Sequence, residues 1–310
     1  MAENYEITRK TVHKLLPRRS PYIHKGDCGR VLILAGASGM AGAAVLSVRA
    51  SMRSGAGLTY ICTPKANYPV LQTAVPEAIC VDWDRVADKL AGRGNEPWNY
   101  DVIAFGPGMG VSASSRRMLK AILLSYDGPL VIDADGLNLL AREHELTGFA
   151  QNYSGELILT PHVGEAKRLL EDVNLDQTTS REEMAEALVR KYRGIAILKG
   201  AGTLVARYSS ALKTGAVTAW RNTSGNPGMA TGGAGDVLTG VIAALTAQGL
   251  SPWDAARAGV LIHGAAGDLA ADDKGEYGMI ASDIVEKLPY AIDEIINMDV
   301  TGDEDEERKS

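Results

Sequence analysis

No cysteine pair, no long apolar run and no excess of basic charge mark this 310-residue chain. Its three cysteines, Cys28, Cys62 and Cys80, are odd in number and show no C-x-x-C spacing, which argues against a disulfide framework or a zinc site and fits a reducing compartment. The N-terminus mixes Glu3, Glu6, Arg9 and Lys10 and has no apolar core segment, while no later stretch approaches the roughly 18 uninterrupted apolar residues of a membrane span. Net charge is −6, and the tail from Asp303 to Lys309 carries five acids against two bases, leaving the body near −3. Nothing here calls for nucleic acid or a membrane, and a cytoplasmic location is expected. There is no internal repeat, no linker long enough to divide the chain, and no G-x-x-x-x-G-K-[ST] run, which excludes only the P-loop mode of triphosphate binding.

What is there centres on residues 222–249, NTSGNPGMATGGAGDVLTGVIAALTAQG. Val237, Leu238, Val241, Ile242 and Leu245 recur at helical spacing, so a helix begins around Asp236 and Gly232, Gly233, Ala234 and Gly235 lie in or just before its first turn. The first amides of a helix lack intrahelical partners and carry the positive end of its dipole, so this loop offers an anion a set of bare N–H groups. Six glycines from Gly225 to Gly240, with Pro227, strip side chains from the approach. An aspartate there can serve the dipole alone, but beside such a loop it reads as the acid of a phosphate site.

The rest of the chain alternates short apolar strands with helical patterns. Strands are expected at 30–36, 58–64, 101–110, 129–137, 155–165 and 194–208, the last with a hairpin partner. Helices are expected at 5–16, 41–56, 113–126, 164–173 and 181–192. Near-continuous apolar strands between helices indicate an α/β fold with a mostly parallel sheet covered on both faces. Gly36, Pro64, Gly106, Asp133, Asp135, His162, Glu165 and Lys199 all fall at carboxyl ends of strands, where open α/β sheets bind ligands. Ser251, Pro252 and Asp254 open a further helix as N-cap, N1 and N3. His263 on that helix reads as a satisfied, partly buried histidine, and His24, Lys25 and Asp27 read equally well as a solvated loop. Residues 1–29 form an N-terminal helix and lead-in, 30–297 the main domain, and 298–310 a disordered acidic tail.

HKGDCGRVLILAG, FGPGMG, VIDADGLNLL, LTPHVGEAKRL, ILKGAGTLV and NTSGNPGMATGGAGDVLTG, in this order, resemble the NAD(P)H-hydrate dehydratases of the ribokinase-like superfamily over about residues 5–295. The resemblance implies the three-layer ribokinase-like fold. It also implies an enzyme that phosphorylates the S-form of hydrated NADH or NADPH from a nucleotide and eliminates phosphate, leaving AMP and the repaired cofactor. Asp236 would then accept the hydroxyl proton while the amides of Gly233, Ala234 and Gly235 hold the transferring group. By the same resemblance Lys199, Gly200, Ala201, Gly202, Thr203, Asn226 and Gly235 line the nucleotide, with Gly228 and Met229 in the nearby loop. Ala43, Gly106, Gly108 and His162, with Asp236, contact the hydrated cofactor.

His162 stands where many kinases of the superfamily carry the Asn of an N-x-x-E motif, with Glu165 kept, and this favours the dehydratase branch. Magnesium is implied beside the nucleotide, with no ligands assigned. Ala234 replaces the Thr of G-T-G-D but keeps its amide. Asp133 and Asp135 place water or metal, or cap a turn; both readings stand. The resemblance favours ADP over ATP as donor and a homo-oligomer, a tetramer in type. A ribokinase-like kinase of a small alcohol and a nucleotide-binding sensor without turnover are the competing readings.

Overall fold

The computed structural model describes residues 4–16, 18–83, 86, 99–173, 176, 178–208 and 217–299; the tail expected to be disordered lies, from residue 300, outside the described residues. Ten strands form one sheet: β1 (Asn4–Ile7), β2 (Arg30–Leu34), β3 (Leu58–Thr63), β4 (Ile79–Asp82), β5 (Val102–Phe105), β6 (Leu130–Ile132), β7 (Leu157–Leu159), β8 (Ile195–Leu198), β9 (Thr203–Tyr208) and β10 (Val217–Asn222). Their order is β1-β10-β9-β8-β7-β6-β5-β2-β3-β4. From β8 to β4 every pairing is parallel, whereas β9 is antiparallel to both β8 and β10.

The helices are α1 (Arg9–His13), α2 (Ala41–Arg53), α3 (Tyr68–Ala74), α4 (Ala113–Ser125), α5 (Asp135–Arg142), α6 (His144–Gln151), α7 (Val163–Leu169), α8 (Arg181–Tyr192), α9 (Ala234–Ala247), α10 (Pro252–Lys274) and α11 (Ala281–Ile296). Successive strand residues point to opposite faces, so each apolar strand feeds two cores at once. Val31, Ile33, Val102, Ala104, Val131 and Ile197 pack with α2, α9, α10 and α11. Leu32, Leu34, Ile103, Phe105, Ile132 and Leu198 pack with helices α4 to α8 on the other side. This three-layer arrangement is the α/β architecture expected from the sequence.

Local chemistry sets the helix starts. Ser180 and Glu183 form a reciprocal capping box on α8, and Ser251 accepts from the Asp254 amide at 3.1 Å with Pro252 at the first position of α10. One expectation fails at the N-terminus. Residues 4–7 are not the beginning of a helix but an added strand, pairing in parallel with β10 from Asn4↔Ala219 to Ile7↔Asn222. Tyr5 stacks on Trp220 with ring centroids 5.1 Å apart, and a short helix follows only after the Thr8 cap. The partner for this strand is more than 200 residues away, so no local pattern announces it. The short strands β4 and β10 also lie outside the expected set.

Helix α9 runs against α2 along Gly240. A Cβ on Gly240 would stand 2.2 Å from the Ser47 carbonyl and 2.9 Å from Ala50 Cβ. The two helices approach this closely only because hydrogen occupies that position. Gly240→Ala is therefore expected to destabilise the fold by about 1–3 kcal/mol through overpacking, measured by urea unfolding. An unchanged unfolding midpoint would show that α2 can move aside at no cost.

Candidate functional site

The carboxyl ends of β2, β5, β6, β7 and β8 meet the N-terminus of α9 at one rim. Gly233 caps α9 in the left-handed region at φ 93°, a conformation that favours glycine, and a Cβ there would stand 2.4 Å from Leu46 Cδ1, which would have to swing aside. Among the described residues no protein group accepts from the Gly233 or Gly235 amide, while the Ala234 amide makes a long bond of 3.4 Å to the Thr231 carbonyl. Two of the three expected cradle amides are thus free, and the third is loosely held.

Asp236 sits in the first turn of α9, half-buried. No hydrogen bond or ion pair to its carboxylate occurs among the described residues. Burial, then the negative charge of Asp133, push its pKa from the ordinary 3.8 up to about 7, against the opposing pull of Lys199; Asp135 adds to the rise. Lys199 does not pair with Asp236. Its Nζ donates to Asp133 Oδ1 at 2.7 Å and lies 3.9 Å from Glu165 Oε2. The other oxygen of Asp133 accepts from Thr239 Oγ1 at 2.8 Å, and this carboxylate is 1% exposed. A Cβ on Gly235 would stand 3.2 Å from Lys199 Nζ and 3.7 Å from Asp133 Oδ2, so the Lys199–Asp133 pair lies directly under Gly235.

The turn after β6 fixes these acids. Ala134, between Asp133 and Asp135, takes φ 46°, a conformation costing a side-chain-bearing residue about 1–3 kcal/mol. Gly106 lies against the same turn, where a Cβ would stand 1.8 Å from the Asp133 carbonyl. Asp135 does cap and tie rather than stand free. Its Oδ2 accepts from the Gly110 amide at 2.8 Å, its Oδ1 from Asn138 at 3.3 Å, and Arg168 on α7 holds Asn138 in turn.

His162 and Glu165 form a reciprocal cap on α7. His162 Nδ1 accepts from the Gly164 amide at 2.9 Å, and Glu165 Oε2 accepts from the His162 amide at 2.8 Å. Because Nδ1 is an acceptor, the neutral ring carries its proton on Nε2. An isolated parallel bridge joins His162 to Lys199, so these two expected site residues are neighbours. In the KGAGT loop Thr203 Oγ1 donates to the Gly200 carbonyl at 2.9 Å, and Arg181 donates to the carbonyls of Ala201 and Leu198. Gly108 packs on Ala43, whose Cβ lies 2.9 Å from the Cβ position of the glycine.

Asn226 stands in a separate loop, engaged internally: its Oδ1 accepts from the Gly228 amide and its Nδ2 donates to Asp268 Oδ1, each at 3.0 Å. Among the described residues no hydrogen bond ties that loop to Asp236. His263 departs from expectation. Burial pushes its pKa down to about 4 despite a bond to the Ala234 backbone, and its Nε2 is buried without a partner among the described residues. Sequence reasoning passed over Thr239 and Asp268, since a threonine one turn into a helix and an aspartate in mid-helix carry no local signal.

Among the described residues no three His, Cys, Asp or Glu side chains are grouped to hold a metal, and no helix is long and apolar enough to cross a membrane. Against known families, residues 31–290 match the model described as NAD(P)H-hydrate dehydratase. The chain belongs to the NAD(P)H-hydrate dehydratase family. It is 34% identical to the ADP-dependent (S)-NAD(P)H-hydrate dehydratase of Listeria monocytogenes, covering 92% of this chain and 95% of that one. It is 40% identical to the bifunctional NAD(P)H-hydrate repair enzyme of Escherichia coli, with 93% of this chain but 51% of the relative aligned; the chain spans about half the length of such bifunctional relatives. Among solved structures, the ADP/ATP-dependent NAD(P)H-hydrate dehydratase of Bacillus subtilis, co-crystallised with ATP/Mg2+, superposes with a TM-score of 0.76 at 30% identity over 94% of this chain and 98% of that one. The family fold is the ribokinase-like one.

The raised Asp236 pKa has a consequence for stability. A carboxyl that titrates near 7 when folded and 3.8 when unfolded penalises folding once ionised; the penalty is full above pH 7, shrinks as pH falls, and is gone below about 4. Asp236→Asn is expected to be more stable than the parent above pH 7, by on the order of 3 kcal/mol. Denaturant titrations of both proteins from pH 4 to 8.5 check this, and a pH-independent difference would contradict the raised value.

Proposed function

We propose that the chain dehydrates the S-form of hydrated NADH and NADPH at the expense of ADP. Asp236 carries the reading: a half-buried carboxylate, unpaired among the described residues, with its pKa raised to about 7 and free helix-start amides beside it. A group titrating there is ionised often enough near neutrality to accept a proton and basic enough to pull it. Asp236 takes the proton of the ring hydroxyl as that oxygen attacks the terminal phosphorus of ADP; the P–O bond to AMP breaks, and AMP departs. The amides of Gly233, Ala234 and Gly235 hold the equatorial oxygens of the transferring group, the Ala234 amide exchanging its long bond for the closer anion. Hydroxide is a poor leaving group and phosphate a good one. The ring C–O bond then breaks with phosphate taking the electron pair, and the adjacent carbon releases its proton to restore the double bond.

Lys199, Gly200, Ala201, Gly202 and Thr203, with Gly235 and the Asn226 loop, are read as the nucleotide side. Ala43, Gly106, Gly108 and His162 are read as the side of the hydrated cofactor. His162 is exposed, and its Nε2–H, 3.6 Å from Glu165 Oε1, offers a donor to a substrate carbonyl or phosphate on turning from that carboxylate. Magnesium enters with the nucleotide in this reading. The carboxylates of Asp133, Asp135 and Glu165 are each engaged by protein donors, which does not fit a dedicated protein-only metal seat; an ion arriving with the nucleotide would supply charge neutralisation to its phosphates. Unpaired Cys28, Cys62 and Cys80 suit a cytoplasmic enzyme. A homotetramer is the assembly we expect from the family.

The decisive experiment incubates the purified protein with hydrated NADH and either ADP or ATP and follows the near-ultraviolet band of NADH. Return of that band with stoichiometric AMP and phosphate from ADP is the expected outcome. A stable phosphorylated product would make the chain a kinase instead, and nucleotide binding without turnover a sensor. Asp236→Ala should lower kcat by about 10²–10⁴-fold while retaining ADP binding. An active variant would remove the base from the mechanism.

A further inference from the structure

The geometry points to Asp133 as a positioning residue that anchors the Lys199 ammonium away from Asp236 and so leaves Asp236 free as a base. This deepens the function proposed above and rests on it. Lys199 has three carboxylates in its field, those of Asp133, Glu165 and Asp236. It bonds the first at 2.7 Å and stands 3.9 Å from the second. The third has no ion pair with it. A lysine placed beside a catalytic aspartate would ordinarily pair with it, and a paired carboxylate is a weak base.

What prevents the pairing is a clamp on Asp133. Thr239 lies three residues past Asp236 on α9, and its hydroxyl holds Asp133 Oδ2 at 2.8 Å. The carboxylate is thereby tied to the same helical turn that carries the base, with its other oxygen aimed at Lys199. The fixed turn around Ala134 and the closely packed Gly106 leave Asp133 no alternative place. The remaining groups facing the base are few. Asp135 reinforces the negative field from the same turn, Glu165 shares Lys199 from α7, and His263 lies below from α10, held neutral by burial. Helices α2 and α11 bring Leu46 and Ala281 to Gly233.

Asp133 would act in two ways. Its charge repels the charge that forms on Asp236, and its grip on Lys199 withholds the cation that would otherwise cancel that charge. Both effects vanish together in Asp133→Asn. Lys199 then turns to Asp236, and the base is lost to an ion pair.

The test compares the parent, Asp133→Asn, Thr239→Val and Thr239→Ser. For Asp133→Asn we expect kcat at pH 8 to fall about 10-fold or more and the acidic limb of the kcat profile to move at least about one pH unit lower. Thr239→Val should move both in the same direction by less, because the clamp loses one of two bonds, and Thr239→Ser should restore the parental profile. A fall in kcat with the acidic limb unmoved would make Asp133 a structural residue and overturn the inference. A second readout needs no turnover. The stability advantage of Asp236→Asn over its own background at pH 8 should shrink or reverse when Asp133→Asn is also present, because an Asp236 carboxylate paired with Lys199 no longer penalises folding, and an advantage of unchanged size overturns the inference equally. A parent protein that binds ADP but never restores NADH would refute the proposed function, while the stability comparison would still decide the role of Asp133.

Discussion

An aspartate left without a partner beside a lysine is the constraint on which the rest of this structure turns. Two opposite charges within reach of each other in a half-buried rim will pair unless something stronger holds one of them. Here the stronger partner is a second, fully buried aspartate that bonds Lys199 at 2.7 Å and is itself held by a threonine. The arrangement keeps Asp236 near pKa 7, and it requires three elements from distant parts of the chain to meet within a few ångströms: the end of β6, the end of β8 and the first turns of α9. Only a parallel sheet, which sends the carboxyl ends of its strands to one rim, does this with short connections.

The helix that carries the base must also be fixed against the sheet. Its position depends on the contact of Gly240 with Ser47 and on Gly233 beneath Leu46, so α2 supports α9 along its length. The same α2 brings Ala43 against Gly108. One small-residue helix therefore sets the register of the amide cradle on one side and shapes the proposed cofactor side on the other.

The sequence foretold much of this architecture because its signals are local. Apart from β4, the strands between Arg30 and Tyr208 are apolar runs with glycine or acid at their ends, and α8 was legible from the apolar spacing over residues 181–192. The capping of α10 by Ser251 was likewise written within the four residues 251–254. What was illegible depends on partners far away. Residues 4–7 become a strand only because β10 offers an edge, and Asp133 looks the same in sequence whether it caps a turn or grips a lysine sixty-six residues later. Ala134 at φ 46° is hidden for a related reason: alanine gives no hint of a backbone held against its preference by surrounding contacts.

The two aspartates of the site are chemically identical and end with opposite roles, and environment alone separates them. Asp133 is more deeply buried than Asp236, yet it has a cation and a hydroxyl at bonding distance, which together stabilise its charge. Asp236 is less buried but has neither at bonding distance, so its own burial and then the charge of Asp133 raise it, against the smaller pull of Lys199. The ordering of these carboxylates is therefore a property of where one hydroxyl, that of Thr239, directs one carboxylate, and through it where Lys199 comes to rest.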